Sequence, residues 1–103
     1  MIKRYRKKPV EVEAVSLSDA NYEDIVKWIT DNGGKGAIVG TCIKSTPQAE
    51  KSTNDIEKYA CIVITTLEGN MIANGDDYII KGVAGEFYPC KKSIFEASYE
   101  AVE

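Results

Sequence analysis

The chain has 103 residues, 44% hydrophobic and 28% charged, with 13 basic and 16 acidic side chains, no histidine and a formal charge of −3. That length supports one domain with a real core and leaves no room for a second module. No apolar run long enough for a transmembrane helix is present, and the missing imidazole removes the commonest general base and transition-metal ligand.

The charge is unevenly spread. Lys3, Arg4, Arg6, Lys7 and Lys8 precede position 9, so the rest of the chain carries eight basic against sixteen acidic residues, a balance of −8. A basic cluster of this kind either meets an anion or keeps a strand edge soluble and unpaired. The acidic remainder argues against general nucleic-acid binding, which needs an extended basic surface. The basic start runs directly into VEVEAV, with no continuous apolar segment, so no secretory signal is expected.

Pro9 to Leu17 reads as the first strand, Val10, Val12 and Ala14 alternating with Glu11 and Glu13. Ser18 to Asn21 offers capping side chains for a helix reaching about Asn32. Tyr22, Ile25, Val26 and Ile29 make one apolar stripe along it, with Trp28 at the stripe's edge. Asp19, Glu23 and Asp24 suit the positive end of the helix dipole, and Asn32-Gly33-Gly34 supplies a left-handed exit. Ala37 to Lys44 is the second strand. Ser45 to Lys58 is polar and without periodicity, and reads as a flexible loop or a functional one. Tyr59 to Leu67 is the strongest strand, rich in β-branched residues. Glu68-Gly69-Asn70 then turns the chain into a short strand around Met71 to Ala73. Asn74-Gly75 is a two-residue hairpin signal. In the stretch that follows, Tyr78 and Ile80 fall on one side of an extended chain and Ile79 and Lys81 on the other, so this strand is expected to be covered on much of both faces. Gly85-Glu86 turns it into Phe87 and Tyr88, Pro89 stiffens the exit, and Ser93 is a candidate N-cap for a short helix carrying Ile94 and Phe95. Ser98 to Val102 is a candidate edge strand.

Cys42, Cys61 and Cys90 are odd in number, lack CxxC spacing and sit in apolar, strand-like settings. They read as buried reduced thiols of a cytosolic protein. No nucleophile motif, dinucleotide fingerprint or phosphate loop occurs. Asp76-Asp77 with Glu68 could hold a cation through oxygen, but an acidic turn explains them equally well, and no metal or cofactor is expected. Six tyrosines suit either an interface or the rim of a small core.

Three segments, YRKKPVEVEAV, ITTLEG and DYIIKGVAGEFYPCKKSIFEASYE, resemble a family of small proteins encoded by phages and prophages of Gram-positive bacteria. Together they cover roughly half the chain. The family usually has Pro-Gly-Asp where this chain has Gly75-Asp76-Asp77, and commonly Pro-Asp where this chain has Lys92-Ser93. The resemblance implies origin and carries over no catalytic residue.

The predicted fold is α+β in one domain over residues 1–103: a small antiparallel sheet of about five or six strands, packed by one longer helix at about 19–32 and a short C-terminal helix at about 92–98. The expected function is non-enzymatic and cytoplasmic, with no membrane association. In one version the protein captures an anionic, nucleotide-like ligand to counter host defence. Arg4, Arg6, Lys7, Lys8, Lys91 and Lys92 would supply charge, and Trp28 and Tyr88 would stack a base. In the alternative it inhibits a host protein through an acidic or tyrosine-rich surface or an exposed sheet edge. A small enzyme is the third and least favoured reading. Edge strands leave a symmetric homodimer open.

Overall fold

A computed structural model describes residues 1–6, 8–44 and 57–102. Along the chain it forms β1 (Glu13–Ser16), α1 (Tyr22–Asp31), β2 (Ala37–Lys44), β3 (Glu57–Thr66), β4 (Gly69–Asn74), β5 (Tyr78–Lys81), β6 (Phe87–Cys90) and α2 (Lys92–Ser98). The class is α+β with antiparallel pairing, as predicted, but the six strands form two three-stranded sheets instead of one. Their orders are β1-β5-β6 and β2-β3-β4.

The division follows from the Asn74-Gly75 turn. The hairpin reading required both residues at the turn's centre with positive φ. Only Gly75 is left-handed, at φ 61°, and among the described residues none other than glycine has positive φ. The turn is therefore shifted by one, with Asn74 at its corner, and Asp77 N–H donates to the Asn74 carbonyl at 3.1 Å. Asp77 then commits its other groups elsewhere. Its carboxylate accepts the Asn74 N–H at 3.2 Å, and its carbonyl accepts the Leu17 N–H at 3.0 Å. The backbone that would have continued a β4–β5 ladder is thereby joined to the end of β1.

Register explains the other differences. β1 runs opposite β5 from Glu13↔Lys81 to Ser16↔Tyr78. Gly82 ends β5 by donating to the Glu86 carbonyl at 2.7 Å. Residues 9–12 alternate correctly but have no strand opposite them among the described residues, so the first strand is shorter than expected. Glu57 and Lys58, assigned to the loop from sequence, belong to β3 opposite Lys44 and Ile43; the remainder of that predicted loop lies outside the described residues. α2 starts two residues earlier than a Ser93 cap would set, with Lys91 at its N-cap position and no side-chain cap, so Ser93 falls inside the first turn. No strand forms at 98–102; Tyr99 caps α2, its N–H donating to the Phe95 carbonyl at 2.9 Å.

α1 follows its sequence closely. The Asn21 side chain accepts the Glu23 N–H at 2.8 Å, satisfying one of the helix's unpaired donors. At the far end the Asn32 N–H and side-chain amide both reach the Trp28 carbonyl, at 3.2 and 2.8 Å, before Gly33 turns away at φ 90°. Ile25 and Ile29 are buried by this helix against Leu17, Ile62, Ile64, Ala73, Ile79 and Phe87. The core thus takes the inward faces of both sheets. Gly34 makes the close approach possible: a β-carbon there would lie 2.7 Å from the Ile29 carbonyl oxygen.

Candidate functional site

The β1-β5-β6 sheet is covered twice. Ile79 and Phe87 face α1 and the core, and Trp28 packs edge-to-face on Phe87 with ring centroids 5.1 Å apart. On the opposite face Phe95 of α2 stacks on Tyr78 at 4.0 Å, and Tyr99 extends the stack at 5.0 Å. Ile80 shares the Tyr78 face and is buried. Tyr88 lies on this side too, hydrogen-bonded to Tyr99. Burial first, and that bond second, push the Tyr88 phenol up to about 12.

Among the described residues, the β2-β3-β4 sheet is covered by other elements on one face only. Its core face presents Ile62, Ile64 and Ala73. The other face follows from the register, which aligns Ile38, Val63 and Ile72 in a row across the three strands. Ile38 is 64% and Ile72 50% exposed. Beside this row lies a second, Gly40, Cys61 and Asn74, and beyond it the pair Cys42↔Tyr59. β2 is an edge strand of eight residues. Its sequence AIVGTCIK has neither proline nor charge before Lys44. Ile38, Val39 and Ile43 are all exposed along it. Edges of this length are normally blunted by charge, proline or a bulge. Among the described residues, an apolar face and an unpaired edge meet here.

The residues singled out from sequence are not gathered in one place. Arg4, Arg6 and Lys8 are exposed on the segment before β1, and Lys7 lies outside the described residues. That segment enters the sheet at its Glu13–Lys81–Phe87 end, on the β1 edge. Lys91 and Lys92 follow Cys90, at the Ser16–Tyr78–Cys90 end, beyond the β6 edge. The strand ends leading to the two basic groups are therefore at diagonal corners. Lys91 and Lys92 line a shallow, open depression with Ser93 and the carboxylates of Asp76 and Glu96. Lys91 also stands 4.0 Å from the buried Asp77 carboxylate. Trp28 lines a different depression with Glu13 and Asp24. Because Phe87 and Tyr88 are adjacent on β6, Trp28 and Tyr88 stand on opposite faces of the sheet and cannot clasp one base. Among the described residues, no group of three or more cysteine, aspartate and glutamate side chains is placed to hold a metal ion. No helix there is long and apolar enough to cross a membrane.

Sequence reasoning missed Ile38, Val63 and Ile72. Their signal was present in the runs AIVG and CIVI, which are apolar at consecutive positions and so place apolar side chains on both faces of a strand. Comparison of the chain with protein-family models, curated proteins and solved structures finds no match.

Proposed function

We propose that the chain is a non-enzymatic binding protein that takes a protein partner on the β2-β3-β4 sheet. The partner adds an extended segment beside β2 and lays apolar side chains over the row Ile38, Val63 and Ile72. The observation that carries this reading is the long β2 edge, without charge before Lys44, bordering an apolar face that no helix or sheet among the described residues covers. Strand addition supplies main-chain hydrogen bonds for affinity, and alternate side chains supply specificity. The phage-like ends of the chain make the natural partner a host protein met in the cytoplasm, with inhibition of a defence factor as the consequence. Capture of a nucleotide-like anion has less support, because carboxylates share the Lys91–Lys92 depression and the two aromatic residues are divided by a sheet.

The test compares two sets of substitutions in capture from a host lysate. Ile38→Lys and Ile72→Lys should abolish recovery of a defined partner while leaving the Tm near its wild-type value. Arg4→Ala with Arg6→Ala, and Lys91→Ala with Lys92→Ala, should leave recovery intact. Loss of recovery only in the basic-residue variants would overturn the proposal. So would a rise in Tm with linear or cyclic nucleotides, since saturating ligand at a hundred times its Kd stabilises by about 2.7 kcal/mol. Concentration-dependent dimerisation abolished by Ile38→Lys, without a foreign partner, would reassign the edge to a second copy of the chain.

A further inference from the structure

We propose that Cys42 and Cys61 are a redox pair, which closes into an intramolecular disulfide by exchange with a small-molecule disulfide of the glutathione class. The pair lies on the same face as the partner surface proposed above, in the rows beside Ile38, Val63 and Ile72, but its closure involves two strands of the chain alone and is tested without a partner. The two thiols lie 2.7 Å apart, sulfur to sulfur, within roughly 1 Å of a disulfide's own length. Register explains how they meet. Cys42 is opposite Tyr59 and Cys61 is opposite Gly40, so the cysteines are diagonal neighbours on one face. Gly40, opposite Cys61, adds no side chain beside its sulfur; a β-carbon there would stand 3.6 Å from it.

Their exposures divide the work. Cys42 is half-buried and Cys61 buried, so the entering disulfide is attacked by the Cys42 thiolate. That step forms a mixed disulfide and releases one small thiol. Cys61 then loses its proton, its sulfur attacks the Cys42 sulfur, and the second small thiol departs. Two protein thiols are oxidised and one small disulfide is reduced to two thiols. Burial, and next the hydrogen bond with Cys42, push the Cys61 thiol up to about 11. The second step is therefore expected to quicken as pH rises through the alkaline range. Cys90 lies on the other sheet, its sulfur 3.6 Å from the Lys91 carbonyl oxygen, and serves as an internal control.

Trypsin places each cysteine on its own peptide: residues 36–44, 59–81 and 82–91. The full chain is incubated with oxidised glutathione, alkylated under denaturing conditions and digested without reduction. The expected product joins 36–44 to 59–81 within one chain, lighter than the two peptides by two hydrogens, with Cys90 alkylated. The oxidised chain should gain roughly 5–15 °C in Tm, reversed by dithiothreitol. Cys90→Ser should keep both the linked product and the gain. Alkylation of both Cys42 and Cys61 in the wild-type chain would overturn the proposal. So would a lasting glutathione adduct on Cys42, or linkage only between chains. Because the decisive digest uses the wild-type protein, the result stands whether or not Cys42→Ser or Cys61→Ser folds.

Discussion

Ile79 and Ile80 on β5 point to opposite faces of their sheet and are 0% and 1% exposed. Ile62 and Val63 on β3 also point to opposite faces, yet only Ile62 is buried, and Val63 lies in a row with two exposed isoleucines. The strands are alike in composition; what differs is the cover. α1 and the second sheet close one face of β1-β5-β6, and α2, folded directly after β6, closes the other. Among the described residues no helix or sheet does this for β2-β3-β4, where Ile38 and Ile72 stay exposed although Cys61, in the next row, is buried. Apolar residues on both faces of a strand therefore mark a demand for two covers, and only the rest of the chain decides whether both are supplied internally.

The comparison can be broken most forcefully in the doubly covered sheet. Ile79→Ala and Ile80→Ala should each lower stability by about 2–5 kcal/mol, read from the midpoint of urea unfolding at constant m. If Ile80→Ala is much milder than Ile79→Ala, α2 is a weaker cover than its aromatic stack indicates. Asp77→Ala comes next. It removes the carboxylate that accepts the Asn74 N–H at the crossing between sheets, at an expected cost of about 1–3 kcal/mol. A value near zero would show that the two backbone bonds of Asp77 hold the crossing by themselves. Tyr88 offers a pH test of the α2 face. Its phenol is pushed up to about 12 in the fold, so the folded chain holds the proton more tightly than the unfolded one. The associated stability is full below a pH of about 10 and is lost as pH rises through about 12. Tyr88→Phe should flatten this alkaline fall in chemical-denaturation curves. The smallest effect is expected on the uncovered face, where Ile72→Thr should change stability by no more than about 0.5 kcal/mol. A larger loss would mean that this face is already satisfied within the chain.

Local chemistry was legible and assembly was not. The α1 stripe, the Asn21 cap, the Gly33 exit and the bounds of β2 follow from residues within one or two turns of each other, and the structure keeps them. Division into two sheets depends on where Asp77 spends its carbonyl, and its partner, Leu17, is remote in sequence. The same limit applied to the site. Arg4, Lys91, Trp28 and Tyr88 were recognisable as chemistry that suits an anion, but their corners and faces are set by strand order. The adjacency of Phe87 and Tyr88 did hold one usable clue, since neighbours on a strand cannot share a face. The meeting of Cys42 with Cys61 needed the register Gly40↔Cys61, which sequence spacing alone does not supply.

The position of β2-β3-β4 between β1 and β5 has a kinetic consequence. The three strands follow one another along the chain, and β3 and β4 are joined by a tight turn. β1 must instead find β5 across the whole of that insertion, pairing Ser16 with Tyr78. Contacts between distant residues carry a larger loop-closure cost and tend to form later. Val15→Ala, at the β1–β5 seam, is then expected to speed unfolding while leaving the refolding rate nearly unchanged. Ile64→Val, inside the insertion, should slow refolding instead. Stopped-flow measurement of the two variants would show which sheet carries the folding nucleus, and whether the sheet with the better cover is also the last to close.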